Sequence, residues 1–429
     1  MSSVAFIATE WGDGKGGINA FNRDLATNCG RICKGRHRIT CCVLRADEVE
    51  VESARSNGVK LISLADVTGI SSFEDPQALP AITALFRSEA TPPEFVVGHD
   101  IFTGPIALGI ADAIDARSAV FIHAKYASYK ALQDGGDGAR AAEKEKIQES
   151  IVRLADRVFG VGPLLTEAAR VIASTLPRAR QRRKVRNFIP GLPDISPVDA
   201  SEGFSAFSFG RYDEDKNEII KQQHLCIAAY SEFVKQSDFK VADKKLTIVG
   251  LSPDQDRQAK QRARLLEIAG EYAQGAFVID AQAFKPRSEA WELLRKAHVS
   301  MMLSWHEGFG LVGWEAIAAG VPLLMTRNSG LYRHLRKRHY PLDGCFWVTT
   351  VRGGFDGINS ADVEAACDKL LEMYEHDPEE LRGRARYLRR DLLKQYSWYK
   401  RAKAFLRHLD PYVFSMAPEK PRRKKSVAS

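Results

Sequence analysis

The chain has 429 residues, enough for two compact domains of about 200 residues each. Apolar residues make up 45% and charged residues 27%, an ordinary globular balance, and no window approaches the roughly 18 consecutive apolar residues that a membrane span needs. The net charge of +8 is concentrated partly in residues 178–186 (RARQRRKVR) and 420–425 (KPRRKK), which leaves a solvated surface or an anionic partner as the readings.

Short apolar runs at residues 4–9, 39–44, 59–64, 95–97, 119–122 and 158–161 alternate with amphipathic stretches. That alternation predicts βαβ units around a mostly parallel sheet. Between the first two runs, Ile18, Phe21, Leu25, Cys29 and Ile32 recur at helical spacing and form one apolar stripe. Cys29, Cys33, Cys41 and Cys42 lack a second pair spaced for zinc and are expected as buried thiols. No basic stretch followed by an apolar one marks the start of the chain, so the expected location is cytoplasmic, peripheral to the inner face of a membrane if the basic runs dock there.

At residues 188–198 (FIPGLPDISPV) three prolines and a glycine break the pattern, as an interdomain connection would. A second series of apolar runs follows at 204–209, 246–249, 276–279, 299–303, 321–325 and 346–349, with helices expected over 218–233 and 288–297. The fold class is therefore α/β. The expected division is a first Rossmann-like domain over 1–190, a linker over 191–200, a second such domain over 201–396, a crossing helix over 397–412 and a disordered basic tail over 413–429.

The chemistry concentrates in residues 304–320 (SWHEGFGLVGWEAIAAG), a strand, glycine loop and helix in sequence. Gly308 and Gly310 allow a ligand close to the backbone, and the free N–H groups of the following helix favour an anion. Glu307 lies before that helix and Glu315 inside it, so two carboxylates can offer paired acceptors to sugar and ribose hydroxyls. Upstream, Arg211 ends the first strand of the second series and Lys216 follows five residues later; together they can clamp a diphosphate. In the first domain, Gly12, Gly14 and Gly17 spell a dinucleotide-type loop, but the strand that should end in an acid ends at Leu44 and Arg45. His123, His99 and Asp100 stand at the carboxyl ends of strands, where open α/β sheets bind ligands.

The segment from Glu307 to Glu315, with its Gly-Phe-Gly and the Ala-x-x-x-Gly-x-Pro after it, resembles the E-x7-E signature of family-4-type retaining glycosyltransferases of GT-B architecture. The resemblance implies two Rossmann-like domains facing a central cleft, with a C-terminal helix crossing back to the first. It implies donor-sugar contact by Glu307, donor binding by Gly308, Phe309, Gly310 and Leu311, ribose binding by Glu315, and a diphosphate clamp by Arg211 and Lys216. Gly16 and Gly17 would face the donor across the cleft, His123 the sugar ring, and His99 and Asp100 would belong to the acceptor site. The implied partner is a UDP-, GDP- or ADP-linked sugar, with no cofactor and no metal. The acidic triplet 213–215 is accordingly not read as a metal site, since a metal between two phosphate-binding cations would be redundant.

The expected reaction is sugar transfer to an acceptor hydroxyl with retention of configuration. The acceptor proton would pass to the departing phosphate, and the acceptor itself could be phosphorylated. The rivals are a non-catalytic relative of such enzymes recruited to a membrane or nucleic acid through the basic runs, and an NAD(P)-dependent oxidoreductase using the 12–17 loop, which would leave Glu307 and Glu315 without a role.

Overall fold

The computed structural model describes residues 2–12, 16–126, 138–177, 184–200, 203–212, 220–237, 244–273, 277–337, 344–353, 358–412 and 414. Lys216, the acidic triplet 213–215, the loop residues 13–15 and nearly all of the tail 413–429 lie outside them.

In chain order the first half runs β1 (Ser3–Ile7), α1 (Gly17–Cys33), β2 (Arg38–Val43), α2 (Glu48–Ser56), β3 (Val59–Ser63), α3 (Leu64–Thr68), α4 (Ala78–Arg87), β4 (Phe95–His99), α5 (Asp100–Ala113), β5 (Arg117–Ile122), α6 (Gly138–Leu154), β6 (Arg157–Val161), α7 (Pro163–Ala173) and β7 (Val185–Phe188). Its seven strands pair in the order β3-β2-β1-β4-β5-β6-β7, every neighbour parallel. Helices cover a parallel sheet on both faces, so its strands read as continuous apolar runs; β1 and β4 are buried at every residue. Cys29, Cys33, Cys41 and Cys42 are buried among these layers with no disulfide, and burial pushes the Cys41 thiol up to about 12. They pack as small apolar side chains.

The second half runs β8 (Phe204–Phe209), α8 (Gln223–Gln236), β9 (Lys244–Leu251), α9 (Gln255–Ala273), β10 (Val278–Ala283), α10 (Arg287–Leu294), β11 (Val299–Met302), α11 (Leu311–Ala319), β12 (Leu323–Thr326), α12 (Gly330–Lys337), β13 (Trp347–Thr349), α13 (Ser360–Tyr374), α14 (Pro378–Tyr396) and α15 (Trp398–Leu409). Six parallel strands form the order β10-β9-β8-β11-β12-β13. In each sheet the order turns back beside its first strand, which leaves a crevice at the strand carboxyl ends.

Three expectations need correction. The strand series of the first domain was expected to end at residues 158–161, yet β7 forms an additional edge strand where the basic run ends, still within 1–190. It has only four residues, buried at Val185 and Phe188 and exposed at Arg186 and Asn187, too short to show a period. The run at 276–279 is displaced: β10 covers Val278–Ala283, because pairing with β9 rather than apolar content defines this edge strand. The single helix over 218–233 is interrupted, since Gln222 has φ 57 immediately before α8.

The chain crosses back where α14 meets the linker: Leu192 N–H donates to the Tyr396 carbonyl at 2.6 Å, and Ser397 caps α15. α15 then packs on α1, with Phe405 fully buried beside Phe6, Phe121 and Phe159 at ring separations of 6.0, 5.3 and 5.2 Å. Burying a side chain of this size contributes about 1.5–3 kcal/mol, so the crossing helix is part of the first domain's core. No helix among the described residues is long and apolar enough to cross a membrane.

Candidate active site

The loop between β11 and α11 carries Glu307 to Gly310 and is braced from behind by the turn after β12. Glu307 N–H donates to the Asn328 carbonyl at 3.2 Å, and the Glu307 and Phe309 carbonyls accept from Gly330 and Leu331 at 3.1 and 2.6 Å. Gly310 sits at φ 104, a left-handed conformation that turns the chain into α11. Gly308 is tighter still: a Cβ there would lie 2.8 Å from the His123 carbonyl oxygen and 3.1 Å from Leu165. The loop of the second domain therefore rests directly on the first, and only glycine permits that approach. A Cβ on Gly17, at the start of α1, would lie 3.5 Å from the Leu311 side chain, so the start of α1 faces the start of α11.

The Glu307 carboxylate accepts from Lys221 Nζ at 2.7 Å and from Ser304 Oγ at 3.3 Å. Lys221 passes beside the end of β8, where its Cδ would be 3.9 Å from a Cβ on Gly210, next to the exposed Arg211. Thus the cation that joins the β8 end to Glu307 among the described residues is Lys221, which the sequence reading missed. Lys221 falls inside the helix expected over 218–233 and lies before α8 only because Gln222 breaks that helix, whereas spacing from Arg211 points to Lys216.

Glu315 is buried within α11. Its Oε1 accepts from Arg287 Nε at 2.9 Å, and Arg287 Nη1 donates to Asp24 Oδ2 on α1 at 2.9 Å. Arg287 also lies over the Trp291 ring, 4.8 Å from its centroid. Burial raises the Glu315 pKa while Arg287 opposes the rise. The carboxylate expected to hold ribose hydroxyls is thus paired with Arg287, which in turn reaches Asp24 of the first domain, and no motif announced Arg287 or Asp24.

His123 ends β5 half-buried, with Nε2 3.1 Å from His99 Nδ1; His99 Nε2 is 2.9 Å from Asn22 Oδ1. Asn22 spends its Nδ2 on Cys41 Sγ at 3.4 Å, so Oδ1 faces His99 as an acceptor. His99 Nε2 therefore donates to Asn22, His99 Nδ1 accepts from His123 Nε2–H, and His123 Nδ1 is left as that ring's acceptor. Burial lowers the His99 pKa to about 3 and, with His99 beside it, lowers that of His123 well below its ordinary value, so both rings are neutral. Phe21 stands edge-on to both at 6.0 and 5.0 Å.

Asp100 corrects the acceptor-site expectation. It is fully buried at φ 47, and its carboxylate accepts from the backbone of Ile101, His123 and Ala124 and from Gln148 Nε2 at 2.8–3.0 Å. Burial still raises its pKa to about 6. His99 is likewise only 1% exposed. Neither side chain reaches the cleft; both position His123. Near the His123 turn lies a pocket of about 590 Å³ lined by Lys125, Gln148, Trp305, His306, Asn328 and Arg333, among others.

A family model described as Family 4 Glycosyltransferase in conflict systems matches residues 5–405. Among curated proteins, no sequence matches this chain. Solved structures share its fold. A sucrose-phosphate synthase from Thermosynechococcus elongatus is 17% identical with a TM-score of 0.70, over 97% of this chain and 100% of the other. Anabaena HepE in complex with UDP and glucose is 12% identical with a TM-score of 0.65, over 95% and 99%. An α,α-trehalose-phosphate synthase (UDP-forming) from Burkholderia xenovorans in complex with glucose-6-phosphate is 13% identical with a TM-score of 0.62, over 95% and 100%. At these identities the likeness is one of fold, and the fold is GT-B.

Proposed function

Starting from a chain that belongs to the family 4 glycosyltransferases of conflict systems, we propose that it moves a sugar from a nucleotide diphosphate to an acceptor hydroxyl, with retention of configuration. The observation that carries this reading is the seating of the Glu307–Gly310 loop of one domain on the His123 turn of the other, which gives a donor held by the second domain a wall contributed by the first. The diphosphate would lie at Arg211 and Lys221, with Lys216 as a further candidate, and at the N–H groups opening α11. The sugar would sit between Glu307 and His123, with Gly16 and Gly17 opposite, and the ribose would take Glu315 from Arg287.

In the reaction the bond from the anomeric carbon to phosphate breaks with its electron pair going to the phosphate. Arg211 and Lys221 stabilise that charge. The acceptor oxygen attacks from the same face, and its proton goes to the departing phosphate oxygen. Lys221 and Ser304 hold Glu307 as an acceptor for sugar hydroxyls, so it orients the ring rather than attacking it. The cations supply the charge a metal would, so turnover is expected to survive EDTA.

The related structures hold or form UDP, which puts UDP-sugars first in a panel with GDP- and ADP-sugars, read by thermal stabilisation and slow donor hydrolysis. One nucleotide series should raise the melting temperature, less so in Arg211→Ala, and Glu307→Ala should lose hydrolysis. Stabilisation by NAD(P) and by no sugar nucleotide would overturn the reading.

A further inference from the structure

A second opening between the domains lies between α7 and α12, a groove of about 850 Å³. Arg170 on α7, Arg327 after β12, and Arg333, Arg336 and Lys337 on α12 line it, with Glu167 as the lone carboxylate of its lining among the described residues. Glu167 is already paired with Arg333 across the domains at 3.1 Å. Arg170, Arg327, Arg336 and Lys337 form no ion pair with any described carboxylate.

This charge serves no evident packing purpose. α12 buries Gly330, Leu331, His334 and Leu335, whereas Arg333, Arg336 and Lys337 are exposed on the opposite face. Like charges three and four residues apart on a helix repel, and Arg170 and Arg327 add to the same field from other elements. Such a cluster is relieved by a ligand carrying several negative charges along the groove. A single phosphate would leave most of the cations unanswered, and a flat membrane surface cannot enter a furrow between two packed helices. Guanidinium forks match phosphate oxygens, and Tyr332 in the groove and Trp305 in the adjoining pocket offer faces on which bases stack. The two openings share Glu167 and Arg333, so one strand can continue from the groove into the pocket beside Glu307.

We propose that this groove binds the phosphodiester backbone of single-stranded nucleic acid. The proposal stands on the groove's own charge and shape and is independent of which sugar is moved.

The test is fluorescence anisotropy of a short labelled single-stranded oligonucleotide with the full-length protein over a salt series. Binding should weaken steeply with salt, by about 0.7 log units per log unit of salt for each phosphate neutralised. The double reversal Arg170→Glu/Arg336→Glu should weaken it at least about tenfold and flatten the salt dependence, while melting temperature and donor hydrolysis stay unchanged. Arg327→Ala/Lys337→Ala, a milder pair, should weaken it in the same direction. Absence of binding overturns the proposal. So does binding that the reversal leaves within about twofold but that glutamines at the tail cations of 420–425 abolish, and so does binding of inorganic tripolyphosphate without the oligonucleotide. Sugar-nucleotide stabilisation read on the same preparations separates failure here from failure of the glycosyltransfer reading.

Discussion

Replacing Arg287 by methionine removes the one side chain that ties Glu315 to Asp24, and the structure sets the size of the effect. The three side chains are only 11%, 7% and 15% exposed, and both bonds are 2.9 Å long. A charged hydrogen bond in such surroundings contributes about 1.5–3 kcal/mol, and removing one partner of a buried pair costs about 3–5 kcal/mol because the other is stranded. Burial already raises the Glu315 pKa against the opposition of Arg287, so the expected loss lies at the lower end of that range, about 3 kcal/mol. Methionine keeps some contact with Trp291, so packing changes little. Urea unfolding of wild type, Arg287→Met, Glu315→Gln and the double variant forms a cycle with an expected coupling energy of about 2 kcal/mol or more. Asp24→Asn, which leaves the Arg287–Glu315 pair intact, should cost only about 1 kcal/mol. A coupling below about 0.5 kcal/mol would refute the reasoning, because it would mean that Arg287 and Glu315 stabilise the fold independently.

Lys221→Met should lower donor turnover about a hundredfold by freeing Glu307 and removing charge beside Arg211, and more than Lys216→Met does; equal losses would return the clamp to Lys216. Gly308→Ala must push the donor loop off the His123 carbonyl, costing about 1–3 kcal/mol in urea unfolding together with most donor hydrolysis. The His99 pKa is lowered to about 3, so its contribution to stability is complete above its unfolded value near 6.5 and is lost as pH falls toward 3. Asp100, raised to about 6, acts in the opposite sense: its contribution is complete below its unfolded value of 3.8 and is lost as pH rises through about 6. Wild type should therefore lose about 2 kcal/mol more than His99→Gln between about pH 6 and about pH 4.5, measured by urea unfolding; parallel pH profiles would show that His99 does not stay neutral.

The two sheets were legible because a parallel strand covered on both faces has to be apolar along its whole length, which leaves runs such as residues 95–97 and 299–303 plain in the sequence. The Glu307–Glu315 segment was legible for a different reason: a glycine loop opening a helix is local, and its residues lie within one stretch of chain. β7 and β10 were misread because an edge strand is defined by its neighbour's hydrogen bonds, which composition does not carry. The roles of Lys221, Arg287 and Asp100 depended on partners distant in sequence. Lys221 reaches 86 residues along the chain to Glu307, and Arg287 reaches 263 residues back to Asp24. Sequence by itself thus determined the architecture and the loop where a donor would be held, since both follow from local patterns of burial and backbone freedom. Which cation meets Glu307, what occupies Glu315, and that Asp100 supports His123 from inside the core were decided by tertiary structure alone, because ion pairs and hydrogen bonds form only where folding brings separate segments within about 3 Å.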